Sequence, residues 1–384
     1  MTHPDPYPYY AELVARAPFS RHEALGLWVA AGADAVAETL TSPLGRVRPP
    51  GEPSPLPLLG SPAAEIFGRL VRMIDGESHA ALKPAVTVSL TSIDAARIAE
   101  HAARRARALS GDIGPHSDPG RLVRFAFDLP VHVVASLLGV PEPELAQTAR
   151  WASRLAGGLA PGSGPERIER GEQAAGHLLD MFRTLLTEQS GRPGGGPLAM
   201  LAQHAPGMGR ADSTAVVANG IGFLTQAYEA TAGLIGNTLR ALAQRPHLGE
   251  RIRLTSDFAR PVIREVLRHD PPVQNTRRFI AADGTLAGQR MAAGDIVLVV
   301  LAAANRDPSA NPEPDRFDPF RADPRLFTFS TGAHACPGER LAIAIARAGV
   351  ERLLAAGIAL EPLAEATTYR ASANARIPLF GTRD

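Results

Sequence analysis

One uninterrupted pattern of apolar residues at helical spacing constrains the fold more than any other feature of the sequence. The pattern begins at Asp212 and continues to Gln244, and Arg245-Pro246 then ends it because a proline cannot continue a helix. At about 1.5 Å per residue, the predicted helix is some 45–50 Å long. A helix of that length would cross a whole domain.

Helical periodicity also dominates most of the remaining chain, and strands are predicted mainly late in it. A shorter helix is predicted from Phe258 to His269. The stretch 283–308 has turn glycines and β-branched runs, which predict strands. The Pro- and Asp-rich stretch Asp307–Pro324 predicts a loop, and Arg376–Phe380 predicts a last strand. We therefore expect one domain, residues 1–384, that is mainly α with a small β-rich part.

The composition excludes several classes of protein. The net charge is +1, which gives no reason to expect nucleic acid or an anionic membrane surface as a partner. A single cysteine excludes an internal disulfide framework and a multi-cysteine zinc site. No run of about 18 apolar residues is present, and the first residues do not have the pattern of a secretory signal. These observations predict a soluble, cytoplasmic protein.

The single cysteine, Cys336, stands in the stretch F-S-T-G-A-H-A-C-P-G. A lone cysteine is most often a small buried hydrophobe, but its neighbours favour another interpretation. Gly332 and Gly338 permit tight turns, and Pro337 suits the first turn of a helix. Cys336 is therefore predicted at a helix N-terminus, where the dipole and free N–H groups stabilise a thiolate. A thiolate acts either as a nucleophile or as a metal ligand.

This stretch resembles the haem-binding loop of the cytochrome P-450 family, whose pattern is F-x-x-G-x-x-x-C-x-G. Phe329, Gly332, Cys336 and Gly338 match it, whereas Ser330 stands where the family often has glycine. The resemblance implies the fold of that family, with the long central helix over haem b (iron protoporphyrin IX). It implies that Cys336 is the iron ligand, which favours O–O cleavage, and that Phe329 shields the sulfur.

Two further motifs extend the resemblance. Glu265 and Arg268 form E-x-x-R and lie one turn apart on the predicted helix, where such a pair alone would be an ordinary surface ion pair. In the family, an arginine from a P-x-R-F segment joins this pair, and P-D-R-F gives Arg316 here. The resemblance implies that these three side chains brace the cysteine loop.

The resemblance also implies which residues hold the haem propionates. Arg278, His334 and His79 occupy the corresponding positions, and Lys83 stands where the family has an arginine. Lysine keeps the charge but loses the planar fork of arginine. Each of these four residues could instead be an ordinary surface charge. Arg277 is the alternative to Arg278 as the propionate residue, because the two are adjacent.

The central helix carries the family's oxygen-side motif, A/G-G-x-D/E-T-T/S, in altered form. The alignment gives Gln226 at the small residue, Glu229 at the acid, Ala230 at the first threonine and Thr231 after it. The resemblance implies that Glu229 relays protons, and its alternative is an acid with no such role. Because Ala230 has no hydroxyl, a substrate hydroxyl with a water, or Gln226 or Thr231, would complete the relay. Otherwise the enzyme performs less usual chemistry, such as phenol coupling or peroxide-driven oxidation.

The resemblance implies a monooxygenase that uses O2 to oxidise a medium-sized hydrophobic metabolite, in secondary metabolism. Its alternative is a non-catalytic haem protein, such as a sensor. Electrons would come from a ferredoxin and its reductase. The ferredoxin would be attracted by basic residues that include Lys83, Arg104, Arg105, Arg340 and Arg347. The protein is expected to be a monomer. The residues predicted to line the substrate pocket are Phe223, Val273, Gln274, Asn275 and Thr276. The amides of Gln274 and Asn275 are expected to bind polar groups of the substrate.

Overall fold

The structure is a computed structural model that describes residues 3–190, 196–205, 213–255, 257–365 and 367–381. It is mainly helical with a small share of strands, as predicted. Its helices are α1 (Tyr7–Arg16), α2 (Ala33–Thr41), α3 (Pro62–Phe67), α4 (Gly76–Thr91), α5 (Ala95–Leu109), α6 (Pro119–Leu137), α7 (Leu145–Leu159), α8 (Pro165–Ser190), α9 (Pro197–His204), α10 (Thr214–Ala243), α11 (Pro246–Leu254), α12 (Ala259–His269), α13 (Leu301–Asn305), α14 (Glu339–Ala355) and α15 (Pro362–Glu365).

The strands form one mixed sheet and two hairpins. They are β1 (Phe19–His22), β2 (Leu27–Ala30), β3 (Gly45–Arg46), β4 (Thr276–Ile280), β5 (Gly284–Leu286), β6 (Gln289–Met291), β7 (Ile296–Val299), β8 (Thr367–Tyr369) and β9 (Pro378–Phe380). The sheet has the order β1-β2-β7-β4-β3, with only β2 and β7 parallel, while β5 pairs with β6 and β8 with β9. The sheet therefore joins the first 50 residues to the segment after α12.

Helix α10 is the predicted long helix and forms the axis of the core. Its predicted first residue, Asp212, lies outside the described residues. Because α10 is apolar on nearly all sides, it is surrounded by other elements and packs against α6, α7, α8, α12 and α14. Glycine permits the closest contacts, since a Cβ at Gly236 would lie 2.6 Å from Cγ of Pro378 in β9. Among the described residues, no helix is long and apolar enough to cross a membrane.

The predicted strands in 283–308 are present as β5, β6 and β7, but the end of this stretch is helical. The backbone N–H of Val300 still bonds to the carbonyl of Ala30, at 2.8 Å, and α13 begins at the next residue. Its three consecutive alanines are the best helix formers and are fully buried. The predicted loop Asp307–Pro324 contains no helix or strand, as expected.

A buried polar cluster joins the two ends of the chain to the end of α12. The Tyr7 hydroxyl donates to Asp270 at 2.5 Å, and Arg376 Nε donates to the same carboxylate at 2.9 Å. Arg376 also donates to the carbonyls of His3 and Pro4. Because α12 carries the E-x-x-R motif, this cluster fixes the helix from which the cysteine loop is braced.

Candidate active site

An internal cavity interrupts the burial of α10 near its middle. Residues 215–224 and 231–239 of the helix are buried, whereas Gln226, Ala227 and Glu229 between them are partly exposed. Cys336 forms no disulfide, and its side chain is exposed. Arg72 interacts electrostatically with both Glu229 and Cys336. The central helix and the cysteine loop therefore face one shared space.

Backbone hydrogen bonds hold the cysteine loop. The N–H of Cys336 donates to the carbonyl of Phe329 at 2.8 Å, and the N–H of Gly338 points at the sulfur, with N···Sγ 3.4 Å. Gly332 has φ of 70°, in the left-handed region that favours glycine. A Cβ there would lie 3.0 Å from Cγ2 of Thr41. The motif residues thus give the loop its turns and aim an N–H at the sulfur.

Ser330 explains why the family often has glycine at its position. Its φ is 62°, which costs an L-residue roughly 1–2 kcal/mol. Its buried hydroxyl has no hydrogen-bond partner among the described residues. The departure from the motif therefore places local strain in the loop that presents the cysteine.

The start of α14 corrects two expectations. The helix begins at Glu339 with Gly338 as its N-cap, so Pro337 lies in the preceding turn instead of the first helical turn. Burial raises the pKa of the Cys336 thiol, although the Gly338 N–H and Lys83 oppose this. Burial therefore outweighs the favourable electrostatics that the sequence suggested, and coordination to a metal ion would favour the thiolate.

Glu265 and Arg268 form a buried, bidentate ion pair. Arg268 Nη2 lies 2.6 Å from Glu265 Oε1, and its Nε lies 3.0 Å from Oε2, with both side chains almost fully buried. Arg268 also donates to the carbonyls of Asn305, Pro314 and Arg316 at 2.7–3.3 Å. The pair is therefore no surface salt bridge, because it fixes the irregular segment before the cysteine.

The predicted third side chain, Arg316, is placed differently. Its side chain is 62% exposed and reaches Glu313 and Asp318, and only its carbonyl contacts Arg268. Arg321 lies against the pair instead, 12% exposed and with Nε 3.9 Å from Glu265 Oε1. Arg321 follows Arg316 by five residues, and the irregular segment between them turns so that Arg316 faces solvent and Arg321 faces the ion pair.

A buried asparagine connects α12 to the start of the cysteine loop. Asn305 donates to the carbonyl of Leu267 and to Oγ1 of Thr328, and it accepts the N–H of Phe327 at 2.7 Å. Thr328 Oγ1 donates to the same Leu267 carbonyl at 2.6 Å. The sequence interpretation missed both residues, although N-R-D-P marked the position of Asn305.

Basic side chains gather around Asp75 at the start of α4. His334 Nε2 lies 3.1 Å from Asp75 Oδ1, and the rings of His79 and His334 have centroids 4.1 Å apart. Burial, with His334 and Lys83, lowers the pKa of His79 to about 4, and its buried Nε2 has no partner among the described residues. Arg278 is buried in β4, where burial lowers its pKa and Asp75 opposes this.

The neighbouring residues separate two candidates that the sequence left open. Arg277 is exposed on β4, whereas Arg278 is buried, which favours Arg278 over its neighbour as a residue of this cluster. Lys83 donates to the carbonyl of Ala335 at 2.5 Å. Its charge therefore lies beside the residue that precedes Cys336.

Three polar side chains of the central helix differ in their access to the cavity. Glu229 lies 3.5 Å from Arg370 Nη2, which follows β8. Gln226 is partly exposed and uses its Nε2 on the carbonyl of Gly222 at 2.9 Å. Thr231 is 2% exposed and packs into the interior, whereas Ala230 is partly exposed. The hydroxyl of Thr231 therefore points into the interior, and the neighbouring position that faces the cavity holds Ala230, which has no hydroxyl.

Comparison with known proteins agrees with this arrangement. The profile of the cytochrome P-450 family matches residues 255–356, a range that includes the E-x-x-R pair and the cysteine loop. 6-Deoxyerythronolide B hydroxylase of Saccharopolyspora erythraea is 28% identical over 88% of this chain and 85% of that protein. Cytochrome P-450 monooxygenase PikC of Streptomyces venezuelae is 29% identical over 91% of this chain and 83% of its own. The structure of P-450 RauA, complexed with a biosynthetic intermediate of aurachin RE, matches with a TM-score of 0.80 at 25% identity, over 98% and 95% of the two chains.

The chain belongs to the cytochrome P-450 family. It is therefore an oxidoreductase, and its family carries haem. The residues present fit that group. The cavity has a free sulfur at one wall, and the cluster around Asp75 has a buried histidine nitrogen without a partner. Such donors suit the iron and the carboxylates of a porphyrin.

The predicted substrate pocket of this cytochrome P-450 needs correction. Gln274 is fully buried, and it bonds to the Pro271 carbonyl and to Tyr10. Asn275 is 4% exposed and donates to the carbonyl of Ala373. Phe223 is also buried, while Val273 and Thr276 are partly exposed. The two amides therefore stabilise the fold and are not free polar groups of a pocket.

Proposed function

We propose that the protein is a haem-dependent monooxygenase that oxidises a medium-sized hydrophobic metabolite, in secondary metabolism. The balanced reaction is R–H + O2 + two electrons + two protons → R–OH + H2O. The observation that carries the proposal is the exposed, free Cys336 facing the interrupted burial of α10. The activities named for two relatives, 6-deoxyerythronolide B hydroxylase and the monooxygenase PikC, support it.

The cofactor is haem b, held from two directions. Cys336 would ligate the iron, Gly338 donates its N–H to the sulfur, and Phe329, at the start of the loop, packs against the main hydrophobic core. Arg278, His334 and His79 bind the propionates. Lys83 contributes mainly through the loop carbonyl that it already contacts.

Bound haem supplies reductive activation of O2, which an anionic sulfur ligand favours. Glu229 brings a carboxylate to the cavity and passes protons from solvent toward the site. Its contact with Arg370 orients the carboxylate.

The missing hydroxyl at Ala230 changes how the last proton arrives. Thr231 is buried in the interior, so it does not replace the hydroxyl. Gln226 reaches the cavity, and an ordered water or a hydroxyl of the substrate completes the relay with it. Oxidative coupling or peroxide-driven oxidation is the alternative that Ala230 favours, and activity with peroxide exceeding activity with reductant would support it.

Electrons come from a separate ferredoxin and its reductase. A groove of about 750 Å³ lies between α5, α12 and α14. Its cations include Arg264, Arg340 and Arg347, which suit an acidic partner. Arg105, which the sequence suggested, is 4% exposed and contacts Glu142, so it is not available for docking. We further propose that the protein acts as a monomer in the cytoplasm.

The test is spectroscopic and catalytic. The reduced protein with carbon monoxide is expected to show the red-shifted Soret band of a thiolate ligand, and Cys336→Ser is expected to lose it. Turnover is then measured with a surrogate ferredoxin and reductase on compounds that shift the Soret band. If reductant is used without any oxidised product across those compounds, the result would favour a non-catalytic haem protein. This is the second candidate function, and the missing hydroxyl at Ala230 is the observation that favours it.

A further inference from the structure

Arg72 belongs to a short segment that is fixed on the central helix. The N–H of Val71 donates to Asn219 Oδ1 at 2.9 Å, and Asn219 Nδ2 donates to the carbonyl of Arg69 at 2.8 Å. Leu70 packs directly on the backbone of α10, because a Cβ at Gly222 would lie 2.6 Å from its Cδ2. The segment is therefore held one turn before Gln226, at the edge of the cavity.

The side chain of Arg72 faces the cavity. Burial by the surrounding protein lowers its pKa, and Glu229 and Cys336 act on it electrostatically. Its surface is nevertheless exposed, so that exposure is to the internal space that both groups share. Among the described residues, Arg72 has no hydrogen bond and no ion pair.

The charges around the cavity are unequal. Glu229 is already within 3.5 Å of Arg370, which leaves Arg72 without a carboxylate of its own. On the side of α10, two guanidinium groups therefore face one carboxylate. Glu229 and Cys336 raise the pKa of Arg72 against the effect of burial, but no carboxylate of the described residues lies within ion-pair distance of its guanidinium, so the fork is free to bind an incoming carboxylate.

We propose that Arg72 binds a carboxylate of the substrate, which makes the substrate an apolar molecule with one acidic group. The inference rests on the proposed function and narrows its substrate class. A guanidinium suits this ligand because its fork donates two parallel hydrogen bonds to a carboxylate. The haem propionates are the other carboxylates near the cavity, and the cluster of Arg278, His334 and His79 provides their donors.

Binding of paired ligands to the haem-loaded protein tests the proposal without turnover. The probes are ω-(imidazol-1-yl)alkanoic acids of several chain lengths and the matched ω-(imidazol-1-yl)alkanols. Their imidazole shifts the Soret band, and their other ends differ only in the carboxylate. We expect wild type to bind the best acid about 10- to 100-fold more tightly than its alcohol, as for a buried charged hydrogen bond.

Three variants separate the role of Arg72 from other effects. Arg72→Gln is expected to bring the acid-to-alcohol ratio close to one, and Arg72→Lys to retain part of it. Arg69→Gln is the matched control, because Arg69 lies on the same segment, is exposed and, among the described residues, uses its side chain only on the carbonyl of Glu65. That control is expected to keep the ratio of wild type.

Several outcomes would overturn the proposal. Equal binding of acid and alcohol by wild type does so without any variant, even if Arg72→Gln does not fold. Weaker retention of haem by Arg72→Gln and Arg72→Lys, with an unchanged ligand ratio in the fraction that keeps haem, would assign Arg72 to a propionate. Imidazole itself must shift the Soret band of wild type. If no haem binds at all, the proposed function fails, whereas a shift without acid preference refutes only this inference.

Discussion

Replacement of Arg321 by glutamine is expected to destabilise the protein far more than the same change at Arg316. Arg321 donates to the carbonyls of Pro312, Glu313 and Arg316, and its guanidinium lies 3.9 Å from Glu265 with 12% of the side chain exposed. A hydrogen bond from a charged group contributes about 1.5–3 kcal/mol. Because these contacts are not additive, we expect a loss of about 3 kcal/mol in the free energy of unfolding.

The matched variant Arg316→Gln removes a side chain that is 62% exposed and contacts only Glu313 and Asp318. Exposed ion pairs contribute about 0–1 kcal/mol, so its effect is expected to be small. Guanidinium chloride unfolding of the haem-loaded proteins, followed by Soret absorbance, measures the difference in midpoints. The carbon monoxide band of the reduced variants then reports whether the thiolate ligand survives.

Equal destabilisation by the two changes would refute the assignment of Arg321 as the inner side chain. A larger effect of Arg316→Gln would restore the assignment that follows from the family motif. A stable Arg321→Gln protein with a normal carbon monoxide band would show that the Glu265–Arg268 pair holds the segment without a third cation.

Three further changes test other parts of the molecule. Glu229→Gln is expected to lower turnover about 100-fold while ligands still shift the Soret band; unchanged turnover would exclude the proton relay. Ser330→Gly is expected to raise the free energy of unfolding by about 1 kcal/mol, because φ is 62° there, and a lower unfolding midpoint would contradict this. Burial, with Arg105, lowers the pKa of His132 to about 4. Because the unfolded chain then binds more protons, stability is lost as pH falls from about 6.5 toward 4, by about 3 kcal/mol in full; urea midpoints of His132→Gln should fall less steeply over that range than those of wild type.

Local patterns predicted the parts of the structure that depend on nearby residues. The long helix followed from its periodicity and its terminal proline, and α10 ends at Ala243, one residue before the predicted Gln244. The cysteine loop followed from spacing, because its turns depend on glycines within the motif. The strands before Val300 were also predicted. The switch to α13 was not, because the same apolar run suits a strand and a buried helix.

Distant contacts explain what the sequence could not predict. Gln274 has the composition of a polar pocket residue, but its amide meets Tyr10, which is 264 positions away. Nothing near Gln274 in the chain indicates that partner. The choice between Arg316 and Arg321 likewise depends on how an irregular segment turns against α12. Arg72 carried no motif, and its position became apparent only when Asn219 placed its segment on α10.

The two walls of the cavity differ in a way that bears on function. The cysteine side is held redundantly, by the Glu265–Arg268 pair, by Asn305 and by the loop's own hydrogen bonds. Such a wall tolerates little change and serves a cofactor that the whole family shares. The side of α10 lacks a hydroxyl at Ala230 and carries a cation, Arg72, without a partner among the described residues. A ligand with its own carboxylate would pair with the guanidinium of Arg72. This proposed preference for an acidic ligand follows from this chain's own residues and not from the family motif.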